Sequence, residues 1–313
     1  MRSIHRLIPA VLLELLCVII LKASIPQVPT GTWADGNPLS VARTGATATL
    51  LPDGRVLIAG GQDASGNALA SADLFNADGS VSAAPPMSTA RYGHSAIFLM
   101  DGYVLVAGGH TTGGGITNTA ELFDPLTNTW QSVSGTMSDA RADFTMSQLQ
   151  DGDVLIAGGD SGTAPISSVE KFNLVANGFQ YFGTLATARK SHAAAVLNDG
   201  RVIIAGGSGL DSDNNAVALS SSEIYDPTSN SIVAGPSLTT ARFAHTATTL
   251  IDGKVLLAGG NDGLDALGNG LQILLVGAAK RHLHVIIPAL RDKTDRVAAR
   301  LQPGLLRRVP EPV

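Results

Sequence analysis

Five times along its 313 residues this chain repeats Ala-Arg followed by Leu-x-Asp-Gly-x-Val-x-x-Ala-Gly-Gly. The arginines are Arg43, Arg91, Arg141, Arg189 and Arg242, spaced 48, 50, 48 and 53 residues apart. A period of this length marks one supersecondary unit stacked many times, since a single unit cannot bury its own hydrophobic face. The repeat constrains the architecture. It names no reaction and no ligand.

Each unit reads as four strands. In the second unit, residues 94–99 form the first strand and Asp101-Gly102 the turn. Residues 103–107 form the second strand, which ends at Gly108-Gly109. A Gly/Thr-rich loop then leads to residues 120–123, and Asp124-Pro125 turns the chain into residues 129–132. Asp-Gly between apolar strands is a strong hairpin signal, and the two-residue form of that turn wants positive φ at both positions. It recurs at Asp53-Gly54, Asp151-Gly152, Asp199-Gly200 and Asp252-Gly253. The doublets Gly60-Gly61, Gly158-Gly159, Gly206-Gly207 and Gly259-Gly260 end the other second strands, where a side chain would block a turn or a neighbouring sheet. A four-stranded antiparallel meander repeated in this way packs radially, as the blades of an all-β propeller.

Composition agrees with that reading and excludes several functions. The chain is 44% hydrophobic and only 15% charged, with 35 glycines, as suits short strands and tight turns. Its one cysteine, Cys17, lies in the N-terminal apolar run, which leaves the rest without disulfide or thiol chemistry. Arg2, His5 and Arg6 precede that run, residues 7–21, which is too short to span a bilayer and reads as a signal peptide over residues 1–23. The expected location is therefore secreted, periplasmic or cell-surface, with no stable membrane insertion after cleavage. Residues 24–270 carry a net charge of −12, which argues against nucleic acid as a partner.

The residues Arg-x-x-His, a glycine doublet, Glu121-Leu122-Phe123-Asp124-Pro125 and Trp130 together resemble the kelch repeat. They also resemble the central propeller of galactose-oxidase-like proteins. The fourth unit repeats the pattern as Glu223-Ile224-Tyr225-Asp226-Pro227, and the first and third keep weaker versions at Asp73-Leu74-Phe75-Asn76 and Glu170-Lys171-Phe172-Asn173. The resemblance implies a kelch-type β-propeller over residues 24–262, of which about four and a half blades are visible. It also implies that Thr32-Trp33, before Pro38-Leu39, is a lone fourth strand that completes the last blade. Beyond Asp262 the pattern stops, and residues 263–313 read as a basic, non-repeat tail from a shifted frame or a truncated array. A C-terminal helix over residues 291–301 is the alternative.

The candidate functional residues fall into three sets. The five arginines and the acids Asp73, Glu121, Glu170 and Glu223 share one end of the blades, either as a cationic ring for an anionic ligand or as pairs tying strands or blades together. Recurrence in every unit favours the pairs, because a ligand site seldom needs the same residue in every blade. His94, His192 and His245 follow their arginines by three residues and read as packed strand histidines, since Ala46 and Phe144 replace them elsewhere. The run Asp211-Ser212-Asp213-Asn214-Asn215 resembles the start of a calcium loop, which would place Ca2+ at Asp211 and Asp213. Ala216 and Ser222 stand where such a loop needs glycine and glutamate, so a solvated polar loop is the preferred reading, with no cofactor.

The β2–β3 loops, residues 62–70, 110–118, 160–167 and 208–219, vary between units and share one face, which makes that face the candidate binding surface. The expectation is a non-enzymatic propeller binding a protein or a glycan there. One alternative is a galactose-oxidase-like oxidase, which the resemblance disfavours because its cross-linked cysteine is missing. The other is a structural module of a longer cell-surface protein.

Overall fold

The computed structural model describes residues 36–263 and the strand Gln272–Leu274. The expected signal peptide, Thr32-Trp33 and the rest of the basic tail lie outside the described residues, while Pro38-Leu39 is irregular chain leading into the first blade. Among the described residues every regular element is a β-strand, and the alternative helix over residues 291–301 lies outside them.

The first sheet is β1 (Thr47–Leu50), β2 (Val56–Ala59), β3 (Ala72–Phe75) and β4 (Val81–Ala84), antiparallel in that order. The second is β5 (Ser95–Phe98), β6 (Val104–Ala107), β7 (Ala120–Asp124) and β8 (Thr129–Ser132). The third repeats the order with β9 (Thr145–Gln148), β10 (Val154–Ala157), β11 (Ser168–Asn173) and β12 (Gly178–Thr184). The fourth uses β13 (Ala193–Val196), β14 (Val202–Ala205), β17 (Ser222–Asp226) and β18 (Ser231–Ala234). Its long loop folds into a separate ribbon, β15 (Ser208–Leu210) and β16 (Ala216–Ala218). The fifth sheet has β19 (Thr246–Thr249), β20 (Val255–Ala258) and β21 (Gln272–Leu274). This is the four-stranded blade repeat of an open propeller, and β21 carries the fifth blade one strand past the point where the sequence pattern stops.

Two local readings change. The Asp-Gly turns are three-residue hairpins, not two-residue primed turns. Leu51 N–H donates to Arg55 O at 2.8 Å, Gly54 N–H donates to Leu51 O at 3.0 Å, and only the glycine, at φ 85°, is left-handed. A turn with Pro52 and Asp53 right-handed and glycine left-handed gives the same strand reversal with less strain on the aspartate. The 208–219 segment is not a plain loop either. Asp211 Oδ1 accepts from the N–H groups of Asp213 and Asn215, and this turn closes the β15–β16 ribbon. Asp63 makes the same bonds to Ser65 and Asn67 in the first blade, so the polar residues of both segments are turn formers.

The core lies between blades. Leu57, Leu74 and Met87 of the first pack on Val104, Val106 and Phe123 of the second. Leu105, Leu122 and Met137 of the second then pack on Val154, Ile156 and Phe172 of the third. Leu155 and Val169 meet Val202, Ile204 and Tyr225, and Ile203 and Ile224 meet Val255 and Leu257. An inner blade therefore buries both faces of its sheet, and its second strand is apolar at every position, as in β6, β10 and β14.

Candidate functional site

The repeated arginines are buried, and their charge is used inside the blade. Arg91 Nη1 donates to Gly108 O at 2.7 Å and Thr119 O at 3.1 Å, while Nη2 reaches Glu121 Oε1 at 3.0 Å. Glu121 also accepts from the backbone N–H groups of Ser88 and Thr89. The pattern recurs with Arg141 and Glu170 at 2.5 Å, and with Arg189 and Glu223 at 2.9 Å. In the first blade Asp73 replaces glutamate and pairs with Arg43 at 2.8 Å. In the fifth, Arg242 Nη1 donates to Gly259 O at 2.7 Å, and Gln272 occupies the register position of the acid, opposite Leu257. The side chains of Arg91, Arg141 and Arg189 have no exposed area, so no anionic ligand can reach them.

These pairs join strands of one blade, and the link between blades is the arginine backbone. Arg91 O accepts from Gly61 N–H at 2.9 Å, Arg141 O from Gly109 at 2.8 Å, Arg189 O from Gly159 at 2.9 Å and Arg242 O from Gly207 at 2.8 Å. The first glycine of each doublet makes room for that approach. A Cβ on Gly60, Gly108, Gly158 or Gly206 would lie 2.4–2.5 Å from the same arginine carbonyl. Gly259 has nothing within 4 Å, and the N–H of Gly260 has no acceptor among the described residues.

The histidines fill the same seam. His94 Nε2 lies 3.0 Å from Thr47 Oγ1 of the preceding blade, and His192 Nε2 lies 2.9 Å from Thr145 Oγ1. Burial, reinforced by the neighbouring arginine, pushes His94 and His192 down to about 3 and His245 to about 4. All three are therefore neutral at physiological pH. Among the described residues, no group of three or more His, Cys, Asp or Glu side chains is arranged to hold a metal. The tyrosines do not converge: Tyr225 is buried between the third and fourth blades, Tyr181 is exposed on β12, and Tyr103 packs between the second and third.

The positions that differ between units lie immediately after each Ala-Arg. Gly45, Gly93, Asp143, Ser191 and Ala244 are all left-handed, with φ between 50° and 64°. From the second unit on, the N–H donates to the carbonyl of the equivalent residue one blade earlier: Gly93 to Gly45 at 3.0 Å, Asp143 to Gly93 at 2.9 Å, Ser191 to Asp143 and Ala244 to Ser191 at 2.8 Å. This belt of hydrogen bonds surrounds a central pocket of about 340 Å³, lined by two residues from each of the five units.

Charged and aromatic side chains stand at its rim. Tyr92 and His110 stack at 4.8 Å, and Lys190 pairs with Asp160 of the preceding blade at 2.7 Å. Asp143 is exposed to the pocket, and partial screening of its carboxyl from water by the surrounding wall raises its pKa. His110 and Lys190 oppose that shift and Asp160 adds to it. A repeat-by-repeat reading passes over these residues because it looks for what recurs. The usable signal is the reverse: the residues one and two places after each arginine are the ones that change.

A family model described as the KLHDC2/KLHL20/DRC7 Kelch-repeats domain matches residues 45–260. A solved structure titled "Structure of YjhT" has a similar fold, with a TM-score of 0.65 at 13% sequence identity, over 80% of this chain and 89% of that chain. No curated protein matches the chain in sequence.

Proposed function

We propose, for a chain that belongs to the kelch-repeat family, a non-enzymatic module that binds a protein partner through the β2–β3 loop face and the pocket at its centre. The fold itself supports a protein-binding or structural role; the partner class and the surface are our reading. The observation that carries it is an asymmetry within each repeat. The recurring groups, the arginine of every unit, the acid of four and the histidine of three, are turned into the blades, where the arginines pair with their acids and His94 and His192 each meet a threonine of the preceding blade. The residues that differ line the central pocket, and His110 and Asp160, the first residues of two of the unequal loops, stand beside it. Function on a repeat scaffold sits where the copies diverge. The run at residues 7–21 extends the proposal to a location outside the cytosol, which N-terminal sequencing of the mature protein tests.

Panning a displayed peptide library against the purified protein tests the binding face. Selected binders are then measured on a variant whose 110–118 and 208–219 segments are exchanged for residues 62–70. We expect a loss of about tenfold or more there, as for removal of an anchoring contact. We expect no loss when the exposed turn-face residues Leu126, Val175 and Ile251 are changed to lysine. Binders that follow the turn-face variant overturn the proposal. A glycan-array signal that follows the loops, with no peptide binder, replaces the protein partner with a glycan.

A further inference from the structure

We infer that Asp143 anchors a cationic group of the partner, the ammonium of a lysine or the guanidinium of an arginine, in the central pocket. The inference rests on the loop-face reading and narrows it to one chemistry. Asp143 lines the pocket, and its carboxylate has no ion pair and no hydrogen bond among the described residues. Lys190 cannot serve as its counter-ion while it is committed to Asp160 at 2.7 Å. The pocket wall therefore stands around an open carboxylate without supplying it a donor, which leaves the carboxylate free to accept from an incoming charged donor.

The position is also held in place. The N–H of Asp143 is bonded to Gly93 O and its carbonyl to Ser191 N–H, with the residue at φ 51° where the first two units have glycine. A Cβ on Gly93 would lie 3.0 Å from Asp143 Oδ1 and 3.3 Å from His110 Cδ2, so the carboxylate and the Tyr92–His110 stack flank one point. An aromatic flank beside a carboxylate suits an ammonium or guanidinium. The wall histidines are neutral and do not repel it, and the buried arginines are out of reach. An anionic ligand would face Asp143 directly, with the nearest cation, Lys190, already paired to Asp160.

The test is a titration of the isotope-labelled protein with acetylated, amidated tripeptides, followed by backbone amide NMR shifts. The probes are Gly-Lys-Gly and Gly-Arg-Gly, with Gly-norleucine-Gly and Gly-Glu-Gly as controls. We expect the cationic probes alone to shift the amides of Gly93, Asp143 and Ser191. Asp143→Gly should weaken them about tenfold or more, as for loss of a charged hydrogen bond. That variant keeps the fold, because glycine already occupies this position at Gly45 and Gly93; an unchanged amide spectrum away from the pocket verifies it. Equal binding by Asp143→Gly, equal binding of the norleucine probe, or no shift with either cationic probe overturns the inference. Failure of the tripeptides with loop-dependent binders intact removes only the cationic anchor. Binders indifferent to the loop exchange remove the loop-face reading itself.

Discussion

The tetrapeptide Val-Leu-Ile-Ala forms a strand twice, as β2 in the first blade and as β10 in the third. Both copies follow an Asp-Gly turn, precede a glycine doublet and pair with strands on both edges. In β10 all four residues are buried, whereas in β2 Val56 and Ile58 are only half-buried. The difference is a neighbour. The third blade is packed between the second and the fourth, and the first has a packed neighbour on one side only among the described residues. The fifth blade mirrors this, with Val255 and Leu257 buried and Leu256 and Ala258 half-buried. The seam and the belt end at the same places: nothing approaches Gly259, and Gly45 N–H and Ala244 O close no further link among the described residues. Strand formation is therefore local, while burial is a nearest-neighbour property, as in other stacked repeats.

Truncation of the shared isoleucine gives the largest separation. Ile156→Ala, at a fully buried site, should cost about 2–5 kcal/mol in urea unfolding, and Ile58→Ala about half of that or less. Equal costs would mean that the open face of the first blade is covered in solution. The glycine seam comes next. Gly108→Ala puts a methyl 2.4 Å from Arg141 O and 2.6 Å from Phe144 Cε1. Overpacking of about 1–3 kcal/mol then adds to the roughly 1–2 kcal/mol of a left-handed alanine. Gly259→Ala meets no atom and carries only the second cost. A Gly259→Ala loss as large as that of Gly108→Ala would again place an unseen neighbour against the fifth blade.

How much of this was legible in the sequence follows from what recurs. Five copies of Val-x-x-Ala-Gly-Gly after Asp-Gly locate the second strands, because apolar runs between turn residues have few other solutions. The pairing of Arg91 with Glu121 was legible as a shared end of the blade, though not that the pair stays within a blade while Arg91 O makes the link to Gly61. Backbone bonds carry no residue-type signature. Strand β21 escaped notice because Gln272 stands where the other units have an acid. Asp143 escaped because its importance depends on the left-handed backbone and the neighbours that converge on it, neither of which a repeat pattern encodes.

The histidines offer the finest test of the inner and terminal seams, and its sign is determined. His192 is held neutral, from an ordinary 6.5 down to about 3, chiefly by burial and then by Arg189. The unfolded chain binds the proton first, so the stability tied to neutral His192 is complete above pH 6.5 and drains away as the pH falls toward 3. By pH 5 the loss is about 2 kcal/mol. His192→Phe, which copies Phe144 at the equivalent position of the third unit, should remove that slope in urea unfolding measured from pH 7 to pH 4. His245 has only the fourth blade against it among the described residues and is lowered less, to about 4. Its contribution should follow the same course down to about pH 4 and then level off, while that of His192 continues to fall. A His192→Phe variant with the wild-type acid slope would mean that the inner seam admits water, and the contrast between inner and terminal blades would then rest on the apolar faces alone.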